Sequence, residues 1–122
     1  SWPFSILVQK FCETYRTMNL QTLKNQISNV DRDIDRLDKS IQTIDTNISR
    51  KTKDTNNILS KISREKDLKR VIKLKDDLNR KNEEITRLEK QKNPKSKSLS
   101  EKRKKKLELQ DKLYKVFRLG GR

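Results

Sequence analysis

The chain has 122 residues, a formal net charge of +15 at pH 7, 40% charged residues and 30% hydrophobic residues. So low an apolar fraction with so much charge excludes an ordinary compact core and favours long helices, although a disordered basic chain fits the composition alone. With no His and one Cys, the chain cannot build a histidine-metal site, a Ser-His or Cys-His catalytic site, or an internal disulfide framework.

Residues 1–18 are predicted to form an amphipathic, aromatic-rich helix, and Pro3 suits its first turn. An apolar stripe runs along one side of it: Phe4, Leu7, Val8, Phe11, Tyr15 and Met18. The stripe changes sides at residues 17–19, which indicates either a helix break capped by Asn19 or one helix with two apolar faces. We expect the stripe to be buried within the same bundle, because its polar face lacks the Lys and Arg density of a membrane-surface helix.

A heptad pattern dominates residues 19–92, the predicted coiled-coil region. Its clearest part is a row of apolar residues at alternating steps of three and four, here called the first seam: Leu20, Leu23, Ile27, Val30, Ile34, Leu37, Ile41, Ile44 and Ile48. A lone helix in water cannot bury this seam, so we expect it to pack against another helix. Aspartates flank the seam, which favours a partner helix with basic flanks, from this chain or another; self-association is the alternative.

The continuation of the first seam allows two arrangements. The register can be followed to Ile62 through polar positions, which favours one continuous helix. A turn at residues 51–57, which contain poor helix formers, would instead fold the region back as a helical hairpin. The register changes near residues 63–69, and a second seam follows, with Lys81 intruding: Val71, Leu74, Leu78, Ile85 and Leu88.

Pro94 and its polar neighbours predict a loop at residues 93–98. A basic amphipathic helix is expected at residues 99–119, beginning with a capping box from Ser98 to Glu101. Its apolar face would fold back on the second seam through Leu109, Leu113, Val116 and Phe117, with Leu107 and Tyr114 on the same face. The predicted fold class is therefore all-α: long coiled-coil helices and a C-terminal amphipathic helix, either extended or folded back as a hairpin.

The positive charge lies in the second half of the chain. Residues 1–48 are neutral, and residues 49–122 carry the whole excess. The candidate contacts to nucleic acid or another acidic partner are Lys95, Lys97, Lys102, Arg103, Lys104, Lys105 and Lys106. No aromatic residue interrupts this cluster, so binding would be directed at phosphates, blind to sequence and sensitive to salt. A solvated run that only keeps the helix soluble explains the same residues.

These features indicate a non-catalytic coiled-coil segment of a larger intracellular protein, nuclear or cytoplasmic, that oligomerises or docks a partner. Its basic half would bind an acidic surface, nucleic acid first. The alternative is a cytoskeletal or membrane-trafficking scaffold or adaptor whose basic half meets acidic protein or lipid. We expect no cofactor, metal or small-molecule substrate, because glycine occurs only at positions 120 and 121 and leaves no phosphate-cradling loop. The apolar runs are too short for a membrane span, so a membrane partner is not expected either.

Overall fold

The computed structural model describes the backbone of residues 2–120 and the side chains of residues 19–118. The chain forms two α-helices there, α1 (Trp2–Arg64) and α2 (Leu68–Gly120). They pack against each other as an antiparallel helical hairpin, and the described backbone contains no strand. The predicted all-α class, in its folded-back form, is confirmed.

The turn between the helices is held by short-range hydrogen bonds. The N–H of Glu65 donates to the carbonyl of Ile62 (3.3 Å), and the N–H of Asp67 donates to Glu65 Oε1 (3.2 Å). Asp67 Oδ1 then accepts a hydrogen bond from the N–H of Lys69 (3.1 Å), which makes Asp67 the N-cap of α2. The turn lies within residues 63–69, so the change of register in the sequence marks the reversal of the chain.

The alternatives that the sequence left open for α1 are resolved by its length. The helix runs unbroken through residues 17–19 and 51–57 and ends at Arg64. The suggested break and the suggested turn were therefore wrong, and the continuous helix through residues 51–57 is confirmed. Poor helix formers stay helical because packing outweighs propensity. Thr55 is buried, and its hydroxyl donates to the carbonyl of Thr52 (2.7 Å).

The predicted burial of the apolar stripe in residues 1–18 concerns side chains outside the described residues.

The predicted loop at residues 93–98 was also wrong, because α2 continues through Pro94. A proline inside a helix cannot bond the carbonyl four residues earlier and costs about 3 kcal/mol. Pro94 is exposed, so water can reach that carbonyl. On the packed side, Leu99 is buried. We conclude that packing against α1 offsets the cost, and the segment from Ser98 to Glu101 lies inside a helix rather than capping one.

The chain divides into two compact units. One unit is Leu37–Leu99, which contains the turn. The other combines Ser1–Arg36 with Ser100–Arg122. Each unit pairs a segment of α1 with an antiparallel segment of α2, so each buries its own part of the contact between the helices.

Each helix turns one line of side chains toward the other. The first seam on α1 is buried or half-buried, and Val30 (7% exposed) and Ile44 (6%) are its least exposed members. The corresponding line on α2, here called the α2 seam, continues in steps of three and four past Pro94: Val71, Leu74, Leu78, Lys81, Ile85, Leu88, Lys92, Lys95, Leu99, Lys102, Lys106, Leu109, Leu113 and Val116. The second seam of the sequence is its first part. In the α2 seam, lysines therefore occupy several positions whose equivalents in the first seam are apolar.

The predicted packing of the C-terminal residues on the second seam was wrong, because both sets lie on the same helix. Leu109, Leu113 and Val116 belong to the α2 seam and are buried or half-buried within the unit that contains α1 residues 2–36. Leu109 is 5% exposed and is among the most buried residues described. These three residues therefore extend the contact between α1 and α2 toward the start of the first seam.

The apolar face at the end of α2 is narrower than the sequence suggests. Phe117 is 52% exposed, and its ring centroid lies 5.9 Å from Lys24 Nζ, within range of a cation–π contact. Leu107 (67% exposed) and Tyr114 (64%) lie outside the packed line. Phe117 was predicted to pack together with Leu109, Leu113 and Val116, but its side chain is only partly covered.

Candidate anion-binding surface

Two lysines of the predicted basic cluster point into the hairpin. Lys102 Nζ lies 3.3 Å from Asp33 Oδ2, and Lys106 Nζ lies 2.6 Å from Asp31 Oδ1. Both lysines are half-buried members of the α2 seam. Their ammonium groups therefore bind aspartates that flank the first seam.

The same arrangement recurs in the unit Leu37–Leu99. Lys92 Nζ lies 2.6 Å from Asp45 Oδ1, and Lys81 Nζ lies 3.8 Å from Asp54 Oδ2. Lysines of α2 thus meet carboxylates of α1 in both units. The aspartates that flank the first seam lie beside a basic helix, and that helix is α2 of the same chain.

A pair in the unit Leu37–Leu99 places the cation on α1 and the carboxylate on α2. Lys51 of α1 forms a salt bridge and a hydrogen bond with Glu84 of α2, and this contact holds the pKa of Glu84 below its usual value of 4.5. The hydrogen bond from Lys51 is the largest cause, and the charge of Lys51 is the next. Lys95 donates a hydrogen bond to Ser40. Lys95 is therefore also committed to the contact between the helices.

The stems of the seam lysines contribute apolar cover. The ion pairs fix a register in which Lys106 lies across from Val30, and Lys92 lies across from Ile44. Val30 and Ile44 are nevertheless among the least exposed residues described. Since a lysine can lay its methylene chain along an apolar surface and keep its ammonium group at the edge, we attribute this burial partly to the lysine stems.

The predicted contacts to an acidic partner therefore fall into two groups. Lys95, Lys102 and Lys106 are half-buried and engaged with α1. The other four are exposed: Lys97, Arg103, Lys104 and Lys105. The cluster that looks densest in the sequence thus presents only part of its charge to solvent.

A second group of cations surrounds the turn, and we did not single it out from the sequence. A cavity of about 550 Å³ is lined by four cations together with Glu65 and Leu74; the cations, here called the tip cluster, are Lys61, Arg64, Arg70 and Lys73. All four are exposed. Their proximity depends on the position of the turn, and Asp67 as a helix-capping residue before Leu68 is the sequence signal that could have located it.

A hydrogen bond orients one arginine of the tip cluster, and a long ion pair lies beside the other. Arg64 Nη2 donates to Ser60 Oγ (3.1 Å) one turn earlier in α1. Arg70 Nε lies 3.9 Å from Asp67 Oδ2, a long and exposed contact at the start of α2. Ser60 is uncharged and leaves the charge of Arg64 uncompensated, whereas the Asp67 carboxylate offsets part of the charge of Arg70.

Other kinds of site are not found in the described part of the chain. No group of three or more Cys, Asp or Glu side chains there could hold a metal ion. Neither helix, as far as it is described, has a stretch long and apolar enough to cross a membrane. No protein-family model, curated protein or solved structure matches the sequence.

Proposed function

We propose that this chain is a non-catalytic helical hairpin that binds nucleic acid through the phosphate backbone. The supporting observation is the way in which the hairpin distributes its charge. Contacts across the helix pair in the described part of the chain engage the carboxylates of Asp31, Asp33, Asp45, Asp54 and Glu84. The chain has 32 Lys and Arg against 17 Asp and Glu, so this internal pairing leaves a large surplus of cations on the outside.

The position of the first seam also favours a surface-binding role. In the hairpin this seam packs against α2, so docking another helix there would first require α2 to be displaced. Binding through the cations on the outside of the hairpin would not require α2 to be displaced. Sequence-independent binding to nucleic acid needs only cations that replace condensed counterions along the phosphates. We therefore assign the binding role to the surface of the hairpin.

The test is a titration of the chain into two labelled DNA duplexes of unrelated sequence, followed by fluorescence anisotropy. We expect binding at about 50 mM salt and a loss of at least about 100-fold in affinity at about 200 mM salt, as for a protein that makes several phosphate contacts. The two duplexes should bind equally well, because phosphates carry no sequence information.

A parallel flotation assay with phosphatidylserine vesicles separates nucleic acid from other acidic surfaces. Absence of binding to both duplexes at the lower salt concentration would overturn the proposal. If the vesicles retain the chain in that case, the acidic partner is a lipid surface. A strong preference for one duplex over the other would also contradict backbone-directed binding.

A further inference from the structure

We infer that the tip cluster, rather than the run at residues 102–106, is the main phosphate-contact site of the hairpin. This inference rests on the proposed function and identifies the part of the surface that performs it. The four side chains of the cluster come from both helices and border one cavity of about 550 Å³. A phosphodiester group placed there would meet cations from α1 on one side and from α2 on the other.

The spacing within each helix accounts for this convergence. Lys61 and Arg64 are three residues apart on α1, and Arg70 and Lys73 are three residues apart on α2. Residues at this spacing lie on the same face of a helix. The turn brings the two faces together, and the side-chain carboxylates of Glu65 and Asp67 hold it by accepting hydrogen bonds from backbone N–H groups.

The chemistry of the cluster suits a phosphate. Each arginine offers a planar fork of N–H donors that can bind two phosphate oxygens, and each lysine adds a mobile point charge. Arg64 is oriented by Ser60, which leaves its remaining donors for a ligand. Glu65 is the one acid that lines the cavity, and it opposes an anion.

Other concave surfaces of the hairpin are less positive. One is lined by Arg50 and Lys53 together with Asp45. Another is lined by Arg87 and Lys90 together with Glu83. Each of these has two cations against one carboxylate, and a third surface has Lys39 and Arg50 with no carboxylate. The tip has four cations against one carboxylate, so its lining is the most positive of the four.

The run at residues 102–106 is weaker than its composition implies. Lys102 and Lys106 are held by Asp33 and Asp31 and would have to leave those aspartates to contact a phosphate. The cations at the tip make no comparable contact across the helix pair in the part of the structure that is described. An incoming phosphate would therefore displace fewer internal contacts there.

The experiment compares two quadruple variants of equal net charge. The tip variant replaces Lys61, Arg64, Arg70 and Lys73 with Gln, and the matched control replaces four exposed lysines elsewhere with Gln: Lys97, Lys104, Lys105 and Lys112. Affinity for a labelled duplex is measured as a function of salt concentration for both variants and for the unmodified chain. Far-ultraviolet circular dichroism verifies the helix content of each variant.

We expect the tip variant to bind at least about tenfold more weakly at about 50 mM salt, with a log–log salt slope shallower by about 3 to 4. The control should lose less than about threefold, which reflects net charge alone. Equal losses in the two variants would overturn the tip as the main contact and leave the proposed function intact. Failure of the unmodified chain to bind would overturn the proposed function itself.

A single substitution tests whether charge at the tip controls phosphate binding, without removing any cation. Glu65→Gln deletes the opposing charge and keeps an oxygen to accept the N–H of Asp67. Loss of one like charge several ångströms from a bound phosphate should raise the affinity about two- to threefold. Unchanged or weaker binding by a variant of normal helix content would contradict the tip site.

Discussion

The tip cluster and the run at residues 102–106 are both rich in Lys and Arg, but the hairpin uses them differently. In the run, Lys102 and Lys106 fall on the α2 seam and bind Asp33 and Asp31 of α1. In the tip cluster, all four cations point away from the seams and line a cavity open to solvent. The position of a cation relative to the seam therefore decides whether it stabilises the hairpin or presents charge to solvent.

This difference shows that charge density along a sequence is a poor measure of available charge. Lysine is well suited to both roles, because its stem can cover apolar side chains while its ammonium group reaches the edge of the contact. Substitutions at inward and outward positions should therefore differ in their effect on stability, and the largest difference is expected at buried leucines.

Two leucines near the end of α2, two residues apart, test which of its side chains face α1. Leu109 is 5% exposed and Leu107 is 67% exposed. Leu109→Ala should lower the free energy of unfolding by about 2–5 kcal/mol, since it removes a buried side chain and leaves a cavity. Leu107→Ala should change it by less than about 0.5 kcal/mol, as is usual for exposed positions. Urea denaturation followed by circular dichroism measures both, and comparable losses would mean that the register of α2 is misassigned.

The register of the run at residues 102–106 depends on α2 being continuous through Pro94. In a continuous helix, Pro94→Ala should raise the free energy of unfolding by up to about 3 kcal/mol, because it restores a backbone hydrogen bond and removes a steric clash. Asn93→Ala is the matched control at an exposed neighbour and should have a much smaller effect. If residues 93–98 were a loop, Pro94→Ala would be neutral or destabilising.

Much of the pairing could be predicted from the sequence. The first seam is unambiguous because its spacing is uninterrupted, and the aspartates beside it indicate a basic partner helix. The place of the turn was harder to predict, because no Gly or Pro marks it. It is defined instead by Asp67 as a cap and by a change of register, and a register change is also compatible with an interrupted supercoil.

The middle of the α2 seam, from Lys92 to Lys106, was missed for a physical reason. Proline normally ends a helix, and lysine normally indicates a solvated face, so Pro94 and the lysines on either side of it suggested a loop followed by a separate helix. Tertiary packing overrides both tendencies. The tip cluster was missed for a related reason: its cations are separated in sequence and are brought together only by the turn.

The inward role of the lysines in the run can be tested by reversing their charge. Lys102→Glu combined with Lys106→Glu would place acids beside Asp33 and Asp31. We expect a loss of roughly 1–2 kcal/mol in the free energy of unfolding, since exposed ion pairs contribute up to about 1 kcal/mol each and like charges repel by a similar amount. Asp31→Lys with Asp33→Lys should restore most of the loss.

The control for this reversal is the double variant Lys61→Glu and Lys73→Glu in the tip cluster. It changes the net charge by the same amount without touching a pair between the helices in the described structure. We expect it to leave the free energy of unfolding nearly unchanged and to weaken binding to a duplex. An equal loss of stability in the two double variants would remove the distinction between inward and outward cations.

The smallest effect concerns Glu84, whose partner Lys51 is a half-buried lysine of α1. The hydrogen bond and charge of Lys51 lower the pKa of Glu84 in the folded state from its usual value of 4.5. A carboxylate with a depressed folded pKa stabilises the fold above its unfolded pKa, and this contribution is lost as pH falls through the folded pKa. Glu84→Gln should therefore be less stable than the unmodified chain at pH 7, and the difference should shrink below pH 4.5. Glu83→Gln, at the exposed neighbouring position, is the control. If the loss in the free energy of unfolding for Glu84→Gln stayed unchanged in acid, the pair with Lys51 would not contribute through charge.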